Sequence, residues 1–111
     1  MPPVRINLGG EGEVPGVINV QGPWLLAGPW PLARDPGRTI QDLIAQGEVF
    51  VIADFTNLPF ADDSVDEVIT NSVPVDIATH LRPGVQSAEI RRILKPGGVW
   101  VHDNLPAYTK P

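Results

Sequence analysis

The chain has 111 residues, 42% of them hydrophobic and 19% charged, which is the composition of one folded domain and excludes a disordered or fibrous chain. Its formal net charge of −5 argues against nonspecific binding to nucleic acid, because phosphate binding requires a clustered basic face. The absence of cysteine excludes disulfides, thiolate catalysis and cysteine-ligated zinc, and no metal site is predicted.

Glycine and proline divide the first half of the chain into short elements. VRINL (4–8) and GVINV (16–20) are rich in β-branched residues and are predicted to be strands. The link between them is too short for a crossover helix, so the second strand is expected to pair antiparallel to the first or to pack beside it irregularly. Residues 21–38 contain GPW twice and too many prolines for a helix. They are predicted to form an ordered loop whose anchors, Trp24 and Trp30, are buried in the core.

The second half alternates helices and strands. TIQDLIAQG (39–47) predicts a short helix with Thr39 as its N-cap, and VFVIAD (49–54) predicts a strand. The strand DEVITN (66–71), the helix PGVQSAEIRRIL (83–94) and the strand VWVHD (99–103) follow. This order favours an α/β fold, which we expect to be a minimal Rossmann-like domain with a mostly parallel sheet and few helices.

Four acidic residues lie around the start of the strand at 66–71. They are Asp62, Asp63, Asp66 and Glu67. We expect this cluster to keep a turn hydrated and to block unwanted strand pairing.

Distinctive residues follow four of the predicted strands at their carboxyl ends. In a parallel sheet these ends lie along one rim, where such sheets bind ligands. A glycine turn lets the backbone approach a ligand, an amide or acid can hold ribose hydroxyls, and an aspartate can accept a hydrogen bond from an exocyclic amine. The residues concerned are Gly9, Gly10, Asn19, Gln21, Asp54, Phe55 and Asn71. A nucleoside is therefore the expected ligand.

Two segments carry a resemblance to a known family. VIADFTNLPFADDSVDEVITN (51–71), followed by AEIRRILKPGGVWVHD (88–103), resembles the central and later part of the class I S-adenosylmethionine-dependent methyltransferases. INLGGEGEVPGVINV (6–20) is similar to a variant of the glycine motif of that family. The resemblance implies a minimal or truncated member that uses S-adenosyl-L-methionine to methylate an unidentified acceptor.

The resemblance also implies roles for the rim residues. By that likeness Gly9 and Gly10 would border the methionine moiety, Gln21 would stand at the ribose, Asp54 and Phe55 would hold the adenine, and Asn71 would lie near the cofactor.

Three positions depart from the family pattern. Glu11 stands where a third glycine is usual, Asn7 where an acid is frequent, and Gln21 where the family has Asp or Glu. An acid at position 21 is expected to strengthen ribose binding, because it would accept charge-assisted hydrogen bonds.

Other functions stay open. His102 and Asp103 end the last predicted strand, and with His80 they are catalytic candidates, since two histidines could supply acid and base. The alternatives are therefore a toxin or effector module that acts as a nuclease or hydrolase on a methyltransferase-like frame, or a degenerate scaffold that only binds.

The sequence gives few indications of location or assembly. No apolar stretch approaches the roughly 20 residues that cross a bilayer, and no signal peptide is recognisable. We expect a soluble methyltransferase-like domain over residues 1–111, cytoplasmic if the chain is complete. It could also be one module of a larger protein, or form a homo-oligomer.

Overall fold

The computed structural model describes residues 3–22, 28–32, 35–71 and 85–111, and for 85–87 the backbone alone. Strands and short helices follow one another along these residues. Their bounds are β1 (Arg5–Leu8), β2 (Ile18–Gln21), β3 (Pro31–Leu32), β4 (Asp35–Thr39), α1 (Ile40–Ala45), β5 (Phe50–Ile52), β6 (Val65–Thr70), α2 (Val85–Ile93), β7 (Leu94–His102) and β8 (Leu105–Thr109).

The main sheet has the order β5-β2-β1-β6-β7-β8 within the described residues. Neighbouring strands are parallel except β7 and β8, which form an antiparallel hairpin. The predicted minimal Rossmann-like α/β fold is therefore confirmed. Since β5, β2, β1, β6 and β7 all run in one direction, the residues that follow them lie along one edge, which we call the carboxyl rim.

The link between β1 and β2 makes a parallel connection, so the expected antiparallel or irregular arrangement was wrong. That expectation assumed that a parallel connection needs a helix. Each strand has only four residues and spans about 13 Å, a distance that the nine residues 9–17 can cover without one. Gly9, Gly12 and Gly16 have φ of 77°, 80° and 75°, a left-handed conformation that lets this link turn back.

The main hydrophobic core lies on the face of the sheet that packs against α2. Ile90 and Ile93 of this helix are fully buried. They pack with Ile6, Leu8, Val20, Ala53, Phe55, Leu58, Val65, Val68 and Leu94. Because side chains alternate along a strand, Asn7 faces the opposite side of the sheet from Ile6 and Leu8.

The first helix begins as predicted. Thr39 Oγ1 accepts a hydrogen bond from the Asp42 backbone N–H at 3.1 Å, and the Asp42 carboxylate accepts one from the Thr39 N–H at 2.8 Å. This capping box satisfies two backbone donors that the first turn of a helix leaves without partners. Thr39 is therefore confirmed as the N-cap of α1.

The predicted loop at 21–38 contains the antiparallel pair of β3 and β4. Trp30 is 39% exposed, so its predicted burial was wrong. The segment is held instead by its backbone, since the Trp30 carbonyl accepts a hydrogen bond from the Ile40 N–H at 2.9 Å. Leu32 rather than the tryptophan enters a small core beneath α1. Trp24 lies outside the described residues.

The acidic residues around β6 are paired with cations, which the expectation of a merely hydrated turn missed. The pairs are Asp62 with Arg92, Asp63 with Lys110, Asp66 with Lys95 and Glu67 with Arg5. Pairs at a surface contribute little stability individually. Their partners belong to different elements, so together the four ion pairs hold the start of β6 and the residues before it in place.

Arg92 of α2 binds the loop that precedes β6. Its guanidinium donates hydrogen bonds to the Leu58 and Phe60 carbonyls at 2.9 and 2.8 Å, and to the carboxylates of Asp62 and Glu89. The Glu89 carboxylate also accepts a hydrogen bond from the Leu58 N–H at 2.8 Å. A planar guanidinium can serve several acceptors at once, which a compact ammonium cannot. The loop after β5 is thus fastened to α2.

We expect Arg92→Lys to lower the free energy of unfolding by about 1 to 3 kcal/mol, because backbone carbonyls lose their donor. The matched control is Arg91→Lys, since Arg91 lies over the Tyr108 ring at 5.0 Å and lysine retains the cation. That control should stay within about 0.5 kcal/mol. Urea denaturation measures both, and equal losses would contradict the role given to Arg92.

The free energy of unfolding should fall at acid pH, and protonation of Glu89 should account for part of that fall. The Arg92 guanidinium hydrogen-bonded to this carboxylate holds the pKa of Glu89 below its ordinary value of 4.5. The unfolded chain therefore takes up this proton at a higher pH than the folded chain. The contribution of Glu89 is fully present above about pH 4.5 and is lost as the pH falls through the folded-state pKa.

Glu89→Gln should accordingly give a curve of unfolding free energy against pH that is shallower on its acid side. Urea denaturation between about pH 3 and pH 7 measures this slope. Two parallel curves would show that Glu89 does not link folding to proton uptake.

Candidate functional site

Residues 9–13, the glycine loop, lie against the sheet at the carboxyl rim. Two amide side chains of β2 hold the loop there. Gln21 Nε2 donates a hydrogen bond to the Gly10 carbonyl at 2.8 Å, and Asn19 Oδ1 accepts one from the Gly12 N–H at 3.2 Å. Gln21 is 5% exposed and Asn19 is fully buried. Each buried amide thereby has a hydrogen-bond partner, and the loop has a fixed position.

Gly10 packs too closely on the sheet for any side chain. A Cβ at this position would lie 2.4 Å from Asn19 Oδ1 and 2.7 Å from Asn7 Cγ. Gly9, at the end of β1, donates its N–H to the Val20 carbonyl at 2.7 Å. The glycines therefore bring bare backbone to the end of β1, as a close approach to a ligand requires.

The hydrogen bond that Gln21 makes does not favour an acid at position 21. A carboxylate oxygen at its Nε2 position would face the Gly10 carbonyl oxygen, and both atoms would be acceptors. The substitution would remove the bond that holds the glycine loop, which counts against stronger ribose binding; the effect of an acid here stays a prediction.

The Glu13 carboxylate lies between the ends of β1 and β6. It accepts hydrogen bonds from the Glu11 N–H at 2.8 Å and from Asn71 Nδ2 at 3.3 Å. Glu13 is an exposed residue, and partial desolvation of its carboxylate raises its pKa. Hydrogen bonds from the side chain of Asn7, from the N–H groups of Glu11 and Glu13 and from Asn71 outweigh this, so the pKa lies below 4.5. Glu13 therefore carries a negative charge at neutral pH.

Two amides beside Glu13 have buried atoms without hydrogen-bond partners in the described part of the chain. Asn7 is fully buried, and although it lies close enough to Glu13 to lower its pKa, neither its Oδ1 nor its Nδ2 completes a hydrogen bond. Asn71 Oδ1 is likewise buried without a partner. Leaving such atoms unpaired costs about 1 to 3 kcal/mol each, so this is the least satisfied polar position of the rim among the described residues.

Asp54 follows β5 at the rim and is exposed. Its Oδ1 accepts hydrogen bonds from Thr56 Oγ1 at 2.7 Å and from the Thr56 N–H at 2.8 Å, and both lower the pKa of Asp54. These bonds orient the carboxylate and use only one of its oxygens. An amine donor could therefore bind to Oδ2.

Phe55 points the other way from Asp54. Its side chain is 6% exposed and belongs to the main core, so neighbouring apolar side chains cover much of its ring. A contact between this ring and adenine stays a prediction.

His102 ends β7 at the far side of the rim. Its Nδ1 lies 2.7 Å from Thr70 Oγ1, which also accepts a hydrogen bond from Trp100 Nε1 at 3.0 Å. Its Nε2 lies 3.3 Å from the Asp103 carboxylate. The indole can only donate, so the Thr70 hydroxyl is free to donate to a neutral His102 at Nδ1.

The two residues after His102 form the turn of the hairpin between β7 and β8. Asp103 and Asn104 have φ of 48° and 66°, as the two central residues of a tight turn between antiparallel strands require. His80 lies outside the described residues, so its meeting with His102 stays a prediction.

Strand order sets the order of the candidates along the rim. Asp54 and Phe55 follow β5, Gln21 ends β2, Gly9 and Gly10 follow β1, Asn71 follows β6, and His102 ends β7 with Asp103 next to it. The predicted site residues that the structure describes thus end or follow strands along this rim, although the Phe55 side chain turns into the core and β5 and β7 lie at opposite ends of the rim. In the described ranges, no group of three or more His, Asp and Glu is arranged for a metal ion, and no helix is long and apolar enough to cross a membrane.

Sequence reasoning missed two residues of this region, Glu13 and Thr70. It placed Asn19 at a strand end and noted Asn7 as a departure from the family pattern, but it gave neither residue a partner, although a polar residue inside an apolar strand must find a partner or a ligand. Glu13 had no such signal, because its place depends on how the glycine loop folds back.

We expect Gly10→Ala to lower the free energy of unfolding by roughly 1 to 3 kcal/mol, because the methyl group would collide with Asn19 and Asn7. Gly37→Ala is the control, since its nearest atom, Asp35 Oδ1, is 3.7 Å away. That change should stay within about 0.5 kcal/mol. Thermal melting compares the two, and a Gly10 variant as stable as the control would contradict the packing described.

In a comparison with known proteins, one family matches the chain. A profile of the methyltransferase domain family matches residues 35–102, which is more than half of the chain. No curated protein sequence matches the chain.

Solved structures show the same fold. A putative methyltransferase of Haloferax volcanii, in complex with the Trm112 methyltransferase activator, is 24% identical with a TM-score of 0.59, over 90% of this chain and 43% of that one. A putative S-adenosylmethionine-dependent methyltransferase of Methanococcus maripaludis is 17% identical with a TM-score of 0.57, over 90% and 47%. The [4+2]-cyclase SpnF is 20% identical with a TM-score of 0.57, over 90% and 38%.

The chain thus spans less than half the length of these neighbours. At such identities they show the fold alone. The profile match is independent of them and includes β5, Asp54 and the strands on to His102. The chain belongs to the methyltransferase domain family.

Proposed function

We propose that this chain binds S-adenosyl-L-methionine at the carboxyl rim and transfers its methyl group to an acceptor. The observation that carries the proposal is the glycine loop, which amides of β2 hold beside Asn7 and Asn71, two residues with buried atoms that no described residue pairs. The family match, together with neighbouring structures of S-adenosylmethionine-dependent methyltransferases, supports the same cofactor.

The rim has the dimensions of a nucleoside site. Strands in a sheet are about 4.8 Å apart, so the ends of β5 and β1, with β2 between them, lie roughly 10 Å apart. An extended nucleoside could reach both ends. Asp54 would accept a hydrogen bond from the adenine amine, Gln21 would lie next to the ribose, and Gly9 and Gly10 would border the methionine moiety.

The chemistry needs little from the protein beyond alignment. When bound, the cofactor supplies a methyl group on a positively charged sulfur, which an acceptor displaces as the carbon–sulfur electron pair returns to sulfur. The chain would hold the acceptor in line with that methyl group and exclude water. With the adenine at β5 and the methionine moiety at β1, the acceptor would approach on the side of Asn71 and His102. His102 ends β7 on that side, and in this proposal it would accept or donate a proton.

The fold alone does not decide the reaction. A cyclase shares it, so methyl transfer has to be shown by its product. The nuclease or hydrolase alternative through His102 and His80 gains no support from the family match. A scaffold without catalysis would be the better account if no cofactor bound.

Attachment to a larger protein or self-association belongs to the same proposal. The Haloferax neighbour is in complex with an activator protein, and this chain spans less than half of that neighbour. β5 is an outer strand of the main sheet, and Val49 and Ile52 beside its edge are exposed apolar residues. Light scattering would detect self-association as a mass of two or more chains.

We expect calorimetry to detect binding of both S-adenosylmethionine and its demethylated product. Asp54→Ala should weaken both, because the carboxylate that accepts the adenine amine is lost. The control Asp35→Ala removes an equal charge from β4 and should leave both affinities unchanged. Absence of binding to the unaltered chain would refute the proposed function, and equal effects of the two variants would refute the role of Asp54.

A further inference from the structure

Three side chains at the carboxyl ends of β6 and β7 are joined in a row. Trp100 and His102 lie two positions apart on β7, so their side chains share one face of the sheet, and Thr70 of β6 pairs with His102 in register. Trp100 Nε1 donates a hydrogen bond to Thr70 Oγ1 at 3.0 Å, and the same oxygen lies 2.7 Å from His102 Nδ1. Thr70 is 2% exposed, so solvent does not compete for its hydroxyl.

The Thr70 hydroxyl decides which ring nitrogen of His102 carries a hydrogen. Its oxygen accepts the indole N–H of Trp100, and among the described residues Nδ1 is the acceptor within reach of its O–H. If Nδ1 carried a hydrogen, the buried hydroxyl would lose that acceptor, which costs free energy. Nδ1 therefore accepts from Thr70, and the hydrogen of the neutral ring is on Nε2.

The other side of the ring leads to the same assignment. Nε2 lies 3.3 Å from the Asp103 carboxylate. A lone pair on Nε2 would face a negatively charged oxygen, whereas a hydrogen there is attracted to it. The side chains of His102 and Asp103 are 23% and 53% exposed, and Thr70 is buried, so the Nε2 side of the ring is the side that a ligand can reach.

We propose that Thr70, with Trp100 behind it, is a positioning residue that holds neutral His102 with its hydrogen on Nε2. His102 then presents an N–H donor at the carboxyl rim and has no lone pair there with which to take a proton. Its role toward a methyl acceptor rests on the proposed function. His102 would bind an oxygen of the acceptor by donating a hydrogen bond, and removal of a proton from the acceptor would belong to another group.

Nuclear magnetic resonance of isotope-labelled histidine rings tests the assignment, because it distinguishes a nitrogen that carries a hydrogen from one with a lone pair. The spectra are recorded at a pH high enough that the ring signals no longer move, so that the ring is neutral. The chain has two histidines, and His80→Gln removes the signals of the other one. The Nε2–H form of His102 should exceed the Nδ1–H form by about tenfold or more.

Thr70→Val keeps the shape of the side chain and removes its hydroxyl. It should lower the ratio of the two forms roughly 3- to 10-fold, since Nδ1 loses its donor, whereas Thr70→Ser should keep the ratio. The matched control is Thr109→Val, because Thr109 is exposed on β8 and pairs with Val99, and it should leave the ratio unchanged. Trp100→Phe removes the indole donor and lets the hydroxyl turn, so it should lower the ratio even if Thr70→Val does not fold.

The outcomes decide the assignment separately from the proposed function. A fall in the ratio that is confined to Thr70→Val and Trp100→Phe, and absent from Thr70→Ser, supports the assignment. A hydrogen on Nδ1 in the unaltered chain overturns it, and so does a ratio that neither Thr70→Val nor Trp100→Phe lowers. These spectra require no cofactor, so a failure to bind S-adenosylmethionine in calorimetry would overturn the proposed function while the ring signals still decide the state of His102.

Discussion

One buried hydrogen bond, from Gln21 Nε2 to the Gly10 carbonyl, determines where the glycine loop lies. The link between β1 and β2 contains no helix that could fix its path, so its position depends on side chains of the sheet. Asn19 holds the loop at a second point, through the Gly12 N–H. Because Gly10 has no side chain, the loop can settle directly on Asn7 and Asn19. The backbone at the rim and the place of Glu13 both follow from this contact.

The charged residues form two groups, one around β6 and one at the carboxyl rim, and the carboxylates in the two groups have different partners. Around β6, acidic residues meet Arg5, Arg92, Lys95 and Lys110, so charges of opposite sign join elements that are distant in sequence. At the carboxyl rim, Asp54 and Glu13 are held by neutral hydrogen-bond donors, and both have lowered pKa values. Donors of this kind keep a carboxylate ionised without neutralising its charge. Among the described residues, the two rim carboxylates therefore keep their charges without a paired cation, whereas the acidic residues around β6 are paired.

The sequence was sufficient for features that depend on local patterns. The capping residue Thr39, the strands before Asp54 and Asn71, and the α/β order all follow from spacing and residue type. The parallel pairing of β1 and β2 could not be predicted from loop length, because left-handed glycines replaced the expected helix. The exposure of Trp30 was missed since hydrophobicity alone does not tell which of two nearby apolar residues enters a core.

The candidate site was predictable to a similar degree. Residues at strand ends could be placed on one rim, because parallel strands end together. The pairing of Asn71 with Glu13 joins residues that are 58 positions apart, and no local pattern indicates it. The same holds for the contact of His102 with Thr70, which are 32 positions apart and become neighbours only through the pairing of β6 with β7.

The central claim is that the carboxyl rim binds the cofactor through the glycine loop. The most direct test is to titrate isotope-labelled protein with the demethylated cofactor and to follow the backbone amide signals by nuclear magnetic resonance. The account expects shifts concentrated at Gly9, Gly10 and Glu11 and after β5 and β6, with the amino ends of the same strands unaffected. Shifts confined to the hairpin of β7 and β8, or no shifts at saturating ligand, would contradict it.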